Sequence, residues 1–589
     1  MSNFDASSWI RAATVAELES RKVMQVKGRN ASLAVFWFAG EAFAVDNRCP
    51  HMGYPLHRGT VKDGVLTCHW HHANYDLCSG CSFSMFADDA PAYDTHIKDG
   101  VVYVAPEPRR KFDKSDHASR LQRGLDQNVA IVIARSVDLL HQADPTAQSV
   151  IREVARYGSE RLNFFSGGMT ALSIAANLLP YLGPQTAFFT TYKAAKLVAA
   201  NAFGRAPRML SEPLDTDEHS SEALLRWLRR WAENGQVTGG ERVILTISRT
   251  KASTQEISAM FFEAATDRMF ASDGQAVYMP NSGFELIEFL GRDTAEHILP
   301  LLVRWISNRG AGAEDKNPWN NPVDVIAPLR HAEKQIPAWI EAGKGKTFSG
   351  EEQLKTVLLG DDPYAIIEAL GGALQEGSTP TNLAKIVAYA AARRLAHFSL
   401  KNELQDWSSP ARTFSYCNAM HRIIKRSPED ALLVRGIFHG AIAVYMDRFL
   451  NVPSAPLPGA RQKLDDLPTE ADGLCLGLLN ALDEQANVEA TARYVARYSA
   501  LGLDMKALFN TLMLATMRED LGLQHWLVLS AGVTQALEWQ GRPEAGHILV
   551  AVARHLAAFC PTPRSEITAA KVASRLNRGE RLYEAQPAH

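Results

Sequence analysis

This 589-residue chain has almost no excess of either charge: 62 Lys and Arg stand against 65 Asp and Glu, a net charge of −3. Without a clustered basic surface nothing neutralises phosphates, so nucleic acid is not an expected partner. Cysteine is scarce, with seven in the whole chain. An odd, scattered set does not form a disulfide framework and suits a reducing cytoplasm. The N-terminus, MSNFDASSWIRAATVAEL, has no basic region followed by an apolar run, so no secretory signal is expected. Unbroken apolar runs are missing too. Leu162 to Tyr192 carries no charge and is long enough to cross a bilayer. However, Asn163, Gly167, Gly168, Asn177, Pro180, Gly183, Pro184 and Gln185 interrupt it. A lipid-facing helix with those breaks would strand backbone groups, so a buried helix pair around Pro180–Pro184 is expected and no membrane span.

The remaining composition, 46% hydrophobic and 22% charged, is that of a folded protein, and the length implies two to four domains. Residues 1–106 read as all-β. Leu33 to Phe38, Ala42 to Val45 and Val101 to Val104 are short runs rich in β-branched and aromatic residues. Ala39-Gly40, Asp63-Gly64 and Asp99-Gly100 supply turns, the last two being hairpin-type dipeptides. Residues 107–119 are mostly polar and read as a charged linker. From residue 120 to 589 the pattern turns helical: Leu224, Leu225, Leu228 and Trp231 recur at helical spacing, as do Leu383, Ile386, Val387 and Ala390. Thr379-Pro380 and Ser427-Pro428-Glu429-Asp430 each look like a helix start. The one strand-like piece there is Val243 to Thr246. The expected fold class is therefore multidomain, an all-β N-terminal domain followed by a large all-α region of stacked antiparallel helix pairs, with room for two subdomains. No fixed-period repeat supports a solenoid family.

Chemistry concentrates at Cys49-Pro50-His51 and Cys68-His69-Trp70-His71, with sixteen residues between His51 and Cys68. C-x-H on one loop and C-x-x-H on the other give each loop one thiolate and one imidazole. Two thiolates on one iron and two neutral imidazoles on a second raise a [2Fe–2S] cluster's reduction potential above that of an all-cysteine cluster. Cys2His2 also suits zinc, though C-x-H is unusual spacing for a zinc finger. Gly53 lets backbone approach closely, and Pro55 stiffens the loop. His57, His69 and His72 read as lying outside the ligand set. Cys78-Ser79-Gly80-Cys81 reads as two free thiols in a turn.

The segments CPHMGYPLHRG and CHWHHANYDLCSG resemble the cluster-binding signature of Rieske-type ferredoxins and of the electron-entry domains of Rieske oxygenases. The resemblance covers roughly residues 8–105. It implies a small antiparallel β fold, a [2Fe–2S] cluster on Cys49, His51, Cys68 and His71, and one-electron transfer.

The helical region matches no familiar site. The D-x-x-H-x-x-x-x-H iron segment of full Rieske oxygenases is absent. Only Glu544-Ala545-Gly546-His547 fits the E-x-x-H of di-iron bundles, which need two. Gly343-Lys344-Gly345-Lys346-Thr347 ends like a P-loop, but Ile340 stands where the first glycine belongs. No nicotinamide or flavin fingerprint is present, so an external electron donor, a reductase or ferredoxin, is expected. His219, His397 and His439 fall at or on helical stripes. With Glu403 or Asp406 they are candidates for a second, non-haem metal site and hence for catalysis. The leading expectation is an oxidoreductase whose Rieske domain passes single electrons to a helical domain that binds a small organic substrate, in a monooxygenase- or dioxygenase-type reaction. The rival is an electron carrier whose helical region is a non-catalytic docking scaffold for a partner oxygenase or reductase. A third is a redox sensor whose cluster state alters helix packing.

Overall fold

Three two-residue turns set the β topology. At Ala39-Gly40, Asp63-Gly64 and Asp99-Gly100 both residues adopt positive φ, between 50° and 85°. That is the turn type whose twist matches paired strands. The computed structural model describes residues 4, 6–29, 31–109, 115–217, 220–307, 314, 319, 322–449, 453–460, 463–578 and 580. The strands are β1 (Ile10–Thr14), β2 (Val23–Lys27), β3 (Ser32–Phe38), β4 (Glu41–Asp46), β5 (Thr60–Lys62), β6 (Val65–Thr67), β7 (Asn74–Asp76), β8 (Ala92–Lys98) and β9 (Val101–Pro108). The turns join β3 to β4, β5 to β6 and β8 to β9, pairing Phe38 with Glu41, Lys62 with Val65 and Lys98 with Val101.

Two antiparallel sheets result, one of six strands in the order β1-β9-β8-β4-β3-β2 and one of three in the order β5-β6-β7. Strand β3 is buried on both faces. Ala34 and Phe36 join a core with Leu56, Leu66, Tyr75, Cys49 and Cys68, while Leu33 and Val35 join a second core with Leu18, Tyr93, Val102 and Val104. The first core holds the two cysteines of the C-x-H and C-x-x-H loops.

Beyond the β region every regular element among the described residues is helical. Thr379 caps the helix Pro380–Ala396 by accepting from the Asn382 N–H, with Pro380 at the first position. Leu383, Ile386, Val387 and Ala390 are buried along it. The uncharged stretch forms the helices Gly167–Leu178 and Pro184–Ala202, joined by a short turn and packed on each other. Among the described residues no helix is long and apolar enough to cross a membrane.

Two local expectations are corrected. Val243 to Thr246 is not a strand but lies in the helix Val237–Arg249, with all four residues buried. A short β-branched run does not distinguish a strand from a helix buried on several sides, and here Gly240 lets the helix pack closely on Val303. Ser427 does not start a helix. It closes Ser408–Arg426, donating its N–H to the carbonyls of Ile423 and Ile424, and the next helix begins only at Arg435. Pro following a C-terminal cap stops a helix as readily as Pro at a first position starts one.

The chain divides into two compact units, Met1–Glu153 with Thr568–His589, and Val154–Ile567. Of the polar segment 107–119, residues 110–114 lie outside the described residues. The helices Ser115–Gln127, Ala130–Ala143 and Thr568–Asn577 belong with the sheets. The middle one packs on the other two, and Arg120 and Arg135 both pair with Asp88. Every regular element of the second unit among its described residues is a helix. Pro543–Ala557 packs there against Val488–Ala500, Leu523–Glu538 and Pro380–Ala396.

Candidate iron–sulfur site

Two loops of matching hydrogen-bond pattern carry the cysteine and histidine pairs. In the first, the Cys49 N–H donates to Tyr54 O (2.8 Å) and the Gly53 N–H to Cys49 O (2.7 Å). In the second, the Cys68 N–H donates to Ala73 O (2.9 Å) and the His72 N–H to Cys68 O (3.0 Å). Gly53 (φ 81°) and His72 (φ 58°) occupy the same left-handed corner, which explains a glycine in one loop and a strained, exposed histidine in the other.

The loops bring Cys49, His51, Cys68 and His71 together as two like pairs. The cysteine side chains are hydrogen-bonded to each other and are 2% and 1% exposed. The rings of His51 and His71 lie 4.8 Å apart, centre to centre, with His51 half-buried and His71 exposed. Sulfur thus faces the core and imidazole faces the surface.

The donor chemistry fits a dinuclear cluster. The hydrogen bond from the Cys49 thiol holds Cys68 down at about 6, while the same bond, aided by burial, pushes Cys49 far up. Two thiols this close shed both protons readily only to a cation. Burial, then the charge of His71, lowers His51 to about 4, so it is a neutral imidazole, the form that binds metal. His51 Nδ1 is buried and lacks a hydrogen-bond partner, an orphaned donor atom of the kind a metal satisfies. A single tetrahedral zinc would draw all four donors to within about 4 Å of each other. Among the described residues, no three of these four donors lie within 4.8 Å of one another. Two pairs held apart suit two irons.

Neither Tyr75 nor Phe86 stands out in the sequence, yet both touch the site. Tyr75 is fully buried, opposite Leu66 in the β6–β7 pair, with its hydroxyl 3.1 Å from Cys49 Sγ. Phe86 packs edge-on against His51 at 4.9 Å, and Trp70, 43% exposed, lies tilted by 32° against His71 at 4.7 Å. Two of the neighbouring histidines have other partners: His57 Nδ1 lies 2.9 Å from Asn47 Oδ1, and His69 Nε2 lies 3.3 Å from Thr60 Oγ1. Cys78 and Cys81 are free thiols in the turn after β7, where Asp76 accepts from the N–H groups of Cys78 and Ser79.

A second metal in the helical region is not supported, which corrects that expectation. His219 lies outside the described residues. His397 caps the helix Pro380–Ala396 and uses both ring nitrogens, Nδ1 with Ala455 O (2.8 Å) and Nε2 with Arg393 (3.0 Å). His439 is buried in the helix Arg435–Met446 and pairs with Glu333 at 3.2 Å. Glu403 and Asp406 cap their own turn. Glu544 binds Lys355 and Arg542, and His547 lies 2.9 Å from Tyr389 Oη. Glu351, Glu352 and Glu544 do converge, but Lys355 sits among all three and supplies the positive charge. These histidines lie apart, each held by partners of its own, although His439 Nδ1 is buried without a hydrogen-bond partner.

A small antiparallel β fold that presents paired thiolate and imidazole loops defines an iron–sulfur electron-transfer domain. Residues 8–91 match the family model of the Rieske [2Fe-2S] domain. The 3-phenylpropionate/cinnamic acid dioxygenase ferredoxin subunit of Photorhabdus laumondii is 31% identical over 99 residues, 16% of this chain and 93% of that protein. The chain belongs to the Rieske family through this region, and membership implies a [2Fe–2S] cluster and electron transfer in oxygenase-type systems. A 4beta-methylsterol monooxygenase of Methylococcus capsulatus is 36% identical over 75 residues, 13% of this chain and 20% of that protein. The chain thus spans about a fifth of that relative's length. Among solved structures, one titled as a complex of reduced oxygenase and oxidized ferredoxin in carbazole 1,9a-dioxygenase matches at 24% identity, covering 18% of this chain and 98% of the other, with a TM-score of 0.17.

Proposed function

We propose that this chain is a one-electron carrier of an oxygenase-type system. On this reading Cys49 and Cys68 hold one iron of the cluster and His51 and His71 the other. The carrying observation is the segregation of donors: two buried, mutually bonded thiols and two imidazoles meeting edge to face, one of them at the surface. When bound, the cluster accepts and releases single electrons. The chain's own residues do the rest. The buried thiols keep water from the sulfur side, the Tyr75 hydroxyl donates to Cys49, and Phe86 fixes the His51 ring. His71 and Trp70 form the exposed edge at which an external reductase or ferredoxin and an oxygenase acting on a small organic substrate are contacted in turn. The helical unit serves as the docking platform for those proteins, a reading supported by His397 and Glu544 being committed to hydrogen bonds and ion pairs within the chain.

Metal and sulfide analysis tests this. Two irons and two acid-labile sulfides per chain are expected, with no product formed by the chain and a reductase alone. Cys68→Ser should lose the cluster. A colourless zinc protein would overturn the assignment, and a third iron would move the acceptor into the helical unit.

A further inference from the structure

The back of the first cluster loop meets a mixed lining in which Leu139 and Leu576 stand beside charged side chains. It faces a cavity of about 260 Å3 bordered by Cys49, Pro50, Arg120, Arg135 and Asn577. Hydrogen bonds from one guanidinium span this gap. Arg135, in the helix Ala130–Ala143, donates through Nη1 to the carbonyl of Pro50 (2.7 Å), the peptide between Cys49 and His51, and to Asp88 Oδ2 (2.8 Å). Its Nε donates to Asn577 Oδ1 (3.2 Å) near the end of the helix Thr568–Asn577. Asn577 returns its own amide hydrogens to Arg135 O (3.1 Å) and Asp138 Oδ2 (2.8 Å). Asp88 is in turn clamped by Arg120, whose Nε donates to Oδ1 (2.8 Å).

We propose that Arg135 is a positioning residue for the Cys49–His51 loop, keyed in place by a C-terminal helix that lies more than four hundred residues away in sequence. The inference rests on the cluster assignment above. Two consequences follow from the chemistry. A charge-assisted bond to the Pro50 carbonyl fixes the peptide between two ligands, so the loop resists opening and holds its iron. The Arg135 guanidinium also places a positive charge against the loop's own backbone, closer than the acidic groups around it, and a positive charge there favours the reduced state. The brace is a property of the full chain, because residues 1–106 contain neither Arg135 nor Asn577.

The test uses the full-length, cluster-loaded protein and its variants Arg135→Met, Arg135→Lys and Asn577→Ala. The readouts are the midpoint potential, the electron paramagnetic resonance spectrum and the rate of iron release to a chelator. Arg135→Met should shift the potential down, alter the spectrum and release iron about tenfold faster, the factor expected for losing one charge-assisted bond. Arg135→Lys keeps the charge and should restore the potential more fully than the release rate. Asn577→Ala leaves the charge and should speed release with little change in potential. A folded Arg135→Met protein with wild-type potential, spectrum and release rate would overturn the proposal. If that variant does not fold, a wild-type release rate in Asn577→Ala overturns it instead. A wild-type chain that takes up no cluster is a separate result, and removes the assignment on which the inference stands.

Discussion

The Tyr75 hydroxyl lies 3.1 Å from Cys49 Sγ, and on the proposed cluster assignment the phenol is the donor of that pair. Donation to Cys49 stabilises the added negative charge of a reduced cluster. Tyr75→Phe keeps the ring in its slot and removes the donor, so the midpoint potential should fall, on the order of 50 mV if one charged hydrogen bond is lost. Spectroelectrochemical titration reads it, and an unchanged potential refutes it. A second residue carries a pH signature in the helical unit. Burial pushes the Asp447 carboxyl up to about 6, despite hydrogen bonds from Ser409 and Thr413 and the charge of Arg394. Because its folded value lies above its unfolded one, its stabilising contribution is complete below about pH 4 and disappears as pH rises through 6. Above that the folded state bears a buried charge costing about 3 kcal/mol. Asp447→Asn never ionises, so its melting temperature relative to wild type should climb between pH 4 and pH 7. A pH-independent difference would contradict this.

At the scale of elements, close approach is the controlling quantity in the helix pair from the uncharged stretch. A Cβ on Gly168 would lie 2.6 Å from the backbone nitrogen of Val198 in the facing helix. Backbone does not yield as a side chain does. Gly168→Ala should therefore force the helices Gly167–Leu178 and Pro184–Ala202 apart and cost about 1–3 kcal/mol, despite alanine's better helix propensity. Chemical denaturation monitored by helical circular dichroism measures the loss, and a neutral or stabilised variant would show that the contact is not tight.

For the whole molecule the separation into two compact units makes cluster removal a local insult. Cys49 and Cys68 sit in the core formed with Leu56, Leu66 and Tyr75, so bound metal adds its binding energy to the folding of that unit. The unit Val154–Ile567 buries its own apolar residues, among them Trp407, Trp526 and Trp539. Stripping the iron should lower one calorimetric transition by several degrees and leave a second, carrying most of the helical signal, near its place. A single transition that moves as a whole would show instead that the two units unfold together.

Period and local chemistry are written in adjacent residues, and these features were readable directly. The hairpin dipeptides, the Thr379-Pro380 cap, the buried helical stripes and the cysteine–histidine spacing all depend on neighbours within a few positions. The Val243 strand failed because a short β-branched run suits either element and burial chooses between them. Ser427-Pro428 failed because one cap grammar both ends and begins helices. Whether His397 or His439 meets a metal, whether Tyr75 reaches Cys49, and whether Arg135 and Asn577 share a bond depend on which distant segments pack together. That outcome is settled by the burial of whole faces across hundreds of residues. No short window of the chain contains it, and only the folded arrangement decided it.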